Sequence, residues 1–462
     1  MSFLVPLAIF GFVPFACLAL ALRPGVKTVL WLYLLGQLFL PVATFDLPGY
    51  SDFSKSATIH IGVALGTILF DSTRFARVRP HLVDVPIACF CAVPFFTSIA
   101  NDLGAYNGVS STLQQTVMYG LPYMTGRMYF ADVQRQRLLA TGIFVAGLVY
   151  VPLCLIEIRM SPQLHRWVYG FHQHDFIQTV RYSGYRPMVF MNHGLMVGLW
   201  MSAACLCGLA LWRARALRAV RGIPLAPLLL ALLATTVLCR STGALILLAA
   251  GVAILWATIR FRTQIPFVLV ICVPIAYVAI RGTGVWDAQE AIEFAQTFGA
   301  ERAESVEFRI HNENLLSARA LEQPLLGWGG FGRSMIRENP EDPSQNLIVV
   351  DGLWILVLGM YGLVGLAAYM GTFLVPLVAF ARAHPPRTWH RRELAPAAAL
   401  CAIAGLYWID CLMNALVNPI YFLALGSLAG LALAPARRRA RAPHASSRRP
   451  HALVAARVYT SS

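Results

Sequence analysis

Two residues in this chain stand where a charged side chain needs a reason. Arg240 lies in the turn Cys239-Arg240-Ser241-Thr242-Gly243 between two apolar runs, and Asp351 lies at the entrance to the run beginning at Leu353. A guanidinium this close to hydrocarbon is costly and has either a partner or a task. Its planar fork matches phosphate oxygens with two parallel hydrogen bonds, so several such arginines converging from different loops would suit a diphosphate. Arg181 and Arg186 precede the apolar run 188–212, and Arg309 and Arg319 lie in a long polar stretch further on. That stretch also holds Gly327-Trp328-Gly329-Gly330-Phe331-Gly332, a tight turn in which Trp328 offers an aromatic platform for a sugar. A carboxylate beside such arginines can take a proton from a hydroxyl, which is the role open to Asp351. Plainer alternatives exist for both: Arg240 as an arginine snorkelling to the interface, Asp351 as the N-cap of the next helix.

Other patterns are weaker. His165, His172, His174 and His193 do not have a usual zinc spacing and no cysteine accompanies them, so no metal site is expected. The glycine-rich run lacks the strand and helix that a dinucleotide fingerprint needs, and no cofactor is expected. Glu157 and Asp410, acids near the ends of apolar runs, could pair with arginine or contact a substrate.

The elements that must position these residues are apolar. Hydrophobic residues make up 58% of the chain and charged residues 13%, and the mean hydropathy is +0.62. The runs are continuous and rich in Leu, Ala and Val, which excludes a β-barrel and makes the fold class all-α, a polytopic membrane protein. Runs of roughly 17 to 25 residues fall near 3–22, 28–45, 57–71, 83–99, 110–128, 138–157, 188–212, 223–239, 242–259, 264–280, 353–381, 394–412 and 418–435. About 12–13 transmembrane helices are expected on this count. The first run lacks a basic n-region and is expected to be a retained span. The 10 cysteines fall in or beside apolar runs and behave as small hydrophobes.

Arginine and lysine orient the chain. The loops around Arg23, Arg74, Arg127, Arg213, Arg260 and Arg382, and the tail from Arg437, are basic and are expected in the cytoplasm. The net charge of +15 is then a topology signal and an attraction to membrane lipid, with no nucleic acid implied. Alternate loops face outward, including 161–187 and the excursion after Arg281. Between Asp287 and Asp342 that excursion holds Asp287, Glu290, Glu293, Glu301, Glu304, Glu307, Glu313, Glu322, Glu338, Glu341 and Asp342, half of the 22 acidic residues. The expected organisation is an N-terminal transmembrane bundle (1–280), a large outer loop (281–352), C-terminal transmembrane helices (353–435) and a basic disordered tail (436–462). No internal repeat is evident, which weighs against inverted-repeat transporters.

In these residues the chain resembles the O-antigen ligase and O-antigen polymerase superfamily of bacterial membrane glycosyltransferases. Arg240 and Gly251 stand at that family's spacing of arginine, ten residues, glycine. Asp351-Gly352, nine residues, Gly362, two residues, Gly365 matches the glycines of a second pattern, with Asp351 in place of its histidine. Arg181 to Gly184, and Phe308-Arg309 through Gly329, are similar to its two outer loops. The resemblance implies a GT-C-like fold in the bacterial inner membrane and a periplasmic reaction. The implied substrate is an undecaprenyl-diphosphate-linked oligosaccharide, moved to a glycan or lipid acceptor by metal-independent, inverting transfer. Arg240 and Asp351 would be catalytic, and Arg181, Arg186, Arg309, Arg319 and Trp328 would bind substrate. Aspartate in the histidine position points away from strict ligase identity and towards a repeat-unit polymerase or exopolysaccharide relative. The rival classes are a lipid-linked glycan transporter or flippase, and a non-catalytic scaffold.

Overall fold

The structure, a computed structural model, describes residues 2–181, 184–282, 286, 288–297, 299–336 and 350–434. The basic tail 436–462, and Asp287, Glu338, Glu341 and Asp342 of the acidic stretch, lie outside the described residues. The described chain is mostly helical, with three two-residue to five-residue hairpins at the ends of the bundle. Helices alternate in direction, so two ends can be distinguished. From the first end α1 (Leu4–Leu22) descends and α2 (Val26–Phe39) returns; α3 (Lys55–Phe70) descends to α4 (Thr73–Arg77), and α5 (Val85–Ala100) returns. Next come α6 (Gly104–Gln115) and α7 (Leu121–Tyr129), continuous through a π turn at Thr116–Gly120, then α8 (Val133–Met160) and the short α9 (Leu164–Tyr169). The long helices α10 (Gly194–Arg213), α11 (Leu225–Leu238), α12 (Thr242–Phe261) and α13 (Ile265–Gly282) follow. Two polar helices, α14 (Gln289–Gln296) and α15 (Ala300–Leu321), lie across the first end before α16 (Leu353–Ala383), α17 (Ala395–Asp410) and α18 (Pro419–Leu433) complete the bundle.

Each apolar run expected from the sequence falls on a helix. Seven segments are long and apolar enough to cross a membrane: Leu4–Leu22, Leu82–Ala100, Val133–Met160, Gly194–Arg213, Thr242–Phe261, Ile265–Gly282 and Leu353–Ala383. Five more apolar helices, α2, α3, α11, α17 and α18, are shorter. The expected runs overstate them because apolar residues continue into non-helical backbone: Val42 and Ala43 follow α2, and Met188 to Met191 precede α10. All ten cysteines are thiols. The centre is built on α10, α17 and α18, whose side chains are almost all buried. α7 meets α18 at van der Waals distance of backbone on backbone, since a Cβ at Gly126 or Gly426 would collide with the facing main chain.

One helix is broken, and the break explains the glycine-rich run. At Gly362 the backbone of α16 turns to φ 63° and ψ −164°, leaving main-chain groups without helical partners. The strap Pro324–Gly329 lies along the break and satisfies them. The N–H groups of Trp328 and Gly329 donate to the carbonyls of Gly359 and Met360 (2.9 and 3.0 Å), and those of Leu363 and Val364 donate to Pro324 and Leu325 (2.7 and 3.2 Å). Irregular backbone within a bundle is tolerated where protein satisfies it in this way. The two glycine patterns of the sequence are therefore one packing unit.

Candidate functional site

The loop between α8 and α10 is fixed by three buried polar side chains. Glu157 of α8 accepts the N–H groups of Leu164 (3.0 Å), Met188 (2.8 Å) and Val189 (2.7 Å), and among the described residues it forms no ion pair with arginine. Lys55 donates to the carbonyl of Phe190 at 2.8 Å. His165 accepts from the N–H of Val42 (3.1 Å), which leaves its Nδ1–H to donate to the carbonyl of Phe171 (2.9 Å). These anchors hold up a small antiparallel pair, β1 (Val180–Arg181) on β2 (Gly184–Tyr185).

Arg240 packs on that pair. It occupies the turn between α11 and α12 with φ 53°, in the left-handed region. Its Nη1 donates to the carbonyl of Arg181 at 2.5 Å. Its guanidinium lies flat against Gly184, where a Cβ would collide with it, so Gly184 is required for the approach. Arg240 is thus folded back onto the loop between α8 and α10. Its own carbonyl accepts from Nη2 of Arg186 at 3.2 Å.

Arg186 is the least expected member. Only 8% exposed, it lies against the start of α10 at Gly194, and its Nε is buried without a hydrogen-bond partner. Burial first, then the positive charges of Arg181 and Arg309, hold its ionisation down to about 10. Arg309 reaches this cluster from α15 and pairs with Asp351 at 3.6 Å. The N-cap of α16 is Gly352, with no side-chain cap, so Asp351 is not the capping residue. Burial raises the Asp351 carboxyl above its ordinary value and Arg309 partly offsets the rise. Arg309 also lies within electrostatic reach of Asp410, whose Oδ1 accepts from Asn414 at 2.9 Å. Beneath the Arg309–Asp351 pair, a crevice of about 10 Å³ has room for one water.

His193 stands at the rim. As N-cap of α10 it accepts the N–H of Leu195 at Nδ1 (3.0 Å), so Nε2–H donates to Oε1 of Gln178 (3.2 Å). Burial, then His174 (ring centroids 4.8 Å apart) and the arginines, push its ionisation down to about 4. Among the described residues no group of three or more His, Cys, Asp or Glu is arranged to hold a metal.

Below Arg240, α11 and α12 both pack on α10 and leave an apolar groove between them, about 540 Å³ in volume. It is lined by Leu233 of α11 and by Leu245, Leu248, Ala249, Val252 and Trp256 of α12, one helical stripe starting five residues after Arg240. Gly251 lies off this stripe and lets α12 pack against Leu206 and Leu406.

Arg319 and Trp328 form a separate unit. The Arg319 guanidinium stacks on the Trp328 ring at 3.5 Å from its centroid and pairs with Glu322, while Trp328 Nε1 donates to the Arg319 carbonyl at 2.8 Å. Ten residues along α15 from Arg309, Arg319 is about 15 Å further along the axis. The structure therefore brings together Arg181, Arg186, Arg240, Arg309 and Asp351, and leaves Arg319 and Trp328 outside.

A hub that the sequence does not signal sets the position of α15. Glu313 accepts from Tyr277 (2.9 Å), Arg281 Nε (3.1 Å) and Trp354 Nε1 (3.1 Å). Arg281 also donates to the carbonyl of Trp286 and to Asn314 Oδ1, both at 2.8 Å. This buried pair ties α13, α15 and α16 together one helical turn from Arg309. Its members are 32 residues apart in sequence, a separation that no local pattern marks.

No protein-family model and no curated protein matches this chain.

Proposed function

We propose that this chain is a polytopic inner-membrane glycosyltransferase of twelve or thirteen spans that moves or polymerises an undecaprenyl-diphosphate-linked oligosaccharide at the periplasmic face. The observation that carries the reading is the imbalance of the cluster. Four guanidiniums from three separate segments gather with one paired carboxylate, and buried Arg186 keeps an unpartnered Nε. A multiply charged anion is the complement of such a site. The apolar groove directly below Arg240 suits a prenyl tail still in lipid, which favours a lipid-linked diphosphate over a soluble one. The basic loops all lie at the opposite end of the bundle, which supports a periplasmic orientation for the cluster.

In the proposed reaction the acceptor hydroxyl oxygen attacks the anomeric carbon from the face opposite the diphosphate. The new glycosidic bond forms as the bond to the diphosphate oxygen breaks, and the configuration inverts. Asp351 takes the hydroxyl proton. The departing undecaprenyl diphosphate carries the negative charge, which preorganised Arg186, Arg240 and Arg181 stabilise as it develops. In the absence of substrate Asp351 is held by Arg309, and an incoming diphosphate competes for that guanidinium. Carrier binding would then free the base, and without carrier there would be no armed base to activate water.

Incubation of the purified protein with lipid-linked oligosaccharide tests the reading. Chain extension or transfer with release of undecaprenyl diphosphate supports it. Substrate moving across a vesicle membrane without bond change would replace it with the flippase reading.

A further inference from the structure

At the opposite end of the bundle, the connection from α10 to α11 carries Arg213, Arg215, Arg218 and Arg221 and no acidic residue. Three basic side chains elsewhere at this end have carboxylate partners: Arg74 with Asp71 at 3.1 Å, Arg127 with Asp84 at 2.7 Å and Arg135 with Asp132 at 2.9 Å. Among the described residues no ion pair involves the four arginines of the connection.

The connection is nonetheless a built structure. The N–H groups of Ala216 and Leu217 donate to the carbonyl of Leu211 (2.9 and 3.3 Å), that of Arg215 to Trp212 (3.0 Å), and that of Leu225 to Arg218 (3.1 Å). Ala219–Val220 pairs with Ile223–Pro224 as an antiparallel hairpin. Arg215 and Arg221 take left-handed backbone, φ 51° and 49°, which turns the chain twice. The result borders a cavity of about 600 Å³, open to the surroundings and lined by Trp212, Arg213, Arg215, Leu217 and Arg218. It lies at the end of a 20-residue apolar helix, where headgroups begin. Trp212, about half exposed, lines it beside Leu217, and an indole at this level is at home in the interface.

We propose that this cavity seats the phosphodiester headgroup of an anionic glycerophospholipid from the surrounding bilayer. Arg213, Arg215 and Arg218 hold the phosphate, and Trp212 lies against the glycerol and first acyl carbons. Unopposed guanidiniums select the negative charge, and the apolar border selects a lipid over a soluble phosphate. The site is at the far end from the arginine cluster and is independent of the glycosyl-transfer reading.

The test is native mass spectrometry of the full chain purified in detergent, with dioleoyl-phosphatidylglycerol, dioleoyl-phosphatidylcholine or glycerol 1-phosphate added. Phosphatidylglycerol should be retained in preference to phosphatidylcholine, and millimolar glycerol 1-phosphate should not displace it. Each arginine near a membrane surface contributes about fivefold, so R213Q/R215Q/R218Q should weaken retention about a hundredfold. R387Q/R391Q/R392Q removes equal charge from another loop at the same end and should leave retention within about twofold. Equal loss in both triple variants would overturn the proposal in favour of diffuse attraction. Equal retention of the two lipids, or displacement by glycerol 1-phosphate, would also overturn it. If R213Q/R215Q/R218Q is not monodisperse, R215Q alone decides, with a loss of about fivefold expected and an unchanged affinity contradicting the site.

Discussion

Arg281 and Arg186 are both buried at the same end of the bundle, 5% and 8% exposed, yet their surroundings are opposite. Arg281 has every guanidinium nitrogen engaged and a carboxylate, Glu313, that is itself held by Tyr277 and Trp354. Among the described residues Arg186 donates to a main-chain carbonyl and keeps Nε unpartnered, and it faces Arg181 and Arg309. A satisfied buried charge acts as a structural rivet, because removing one partner strands the other in low dielectric. An unsatisfied one stores a cost that an added anion relieves. The difference separates a charge that holds the fold from one that the proposed diphosphate would complement, although both residues are arginines next to hydrocarbon.

The sharpest break of the comparison is chemical. Asp351→Asn should lower transfer by about 10²–10⁴-fold with the melting temperature unchanged; a rate near that of the parent would remove Asp351 from the reaction. Stability should respond to the other cluster: Arg281→Ala or Glu313→Ala should cost about 3–5 kcal/mol in thermal or denaturant unfolding, whereas Arg186→Gln should stay within about 1 kcal/mol of the parent or exceed it. Equal destabilisation by the two arginine replacements would erase the distinction. A smaller effect should appear in the pH profile of transfer. Asp351 must be ionised to act, its carboxyl is raised by burial, and Arg309 lowers it. Removing that charge with Arg309→Gln should move the acid limb of the residual activity to higher pH, and an unmoved limb would dissociate the pair. The smallest effect concerns His193, which ionises near 4 in the fold against an ordinary 6.5. Between those values the unfolded chain binds the extra proton, so stability falls as pH drops from 6.5 towards 4. His193→Asn keeps a cap for Leu195 and should flatten that fall, as measured by unfolding at pH 7 and pH 5.

Much of the helical framework was legible because bilayer-length apolar runs have few alternatives. Their ends were less so, since apolar residues such as Val42 and Met188 continue past the helices to where His165 and Glu157 capture the backbone. Arg240, Arg181, Arg186 and Asp351 stand out because charge beside an apolar run is conspicuous, whereas Arg309 stands out only as an arginine of the long polar stretch. Arg319, in the same polar stretch as Arg309, lies elsewhere because a helix carries side chains ten residues apart to different levels, and Trp328, a candidate sugar platform in the glycine-rich run, goes with it as the ring on which Arg319 stacks. The Arg281–Glu313 hub and the mating of the Gly362 break with the Pro324–Gly329 strap depend on long-range pairing, which composition and spacing do not encode.

The central claim is that the Arg186 cluster is a seat for a prenyl diphosphate, and equilibrium binding of undecaprenyl diphosphate to the purified chain tests it most directly. Saturable binding to the parent, lost in Arg186→Gln and retained in Arg319→Ala, is the predicted result. Equal affinity in the parent and in Arg186→Gln would contradict it.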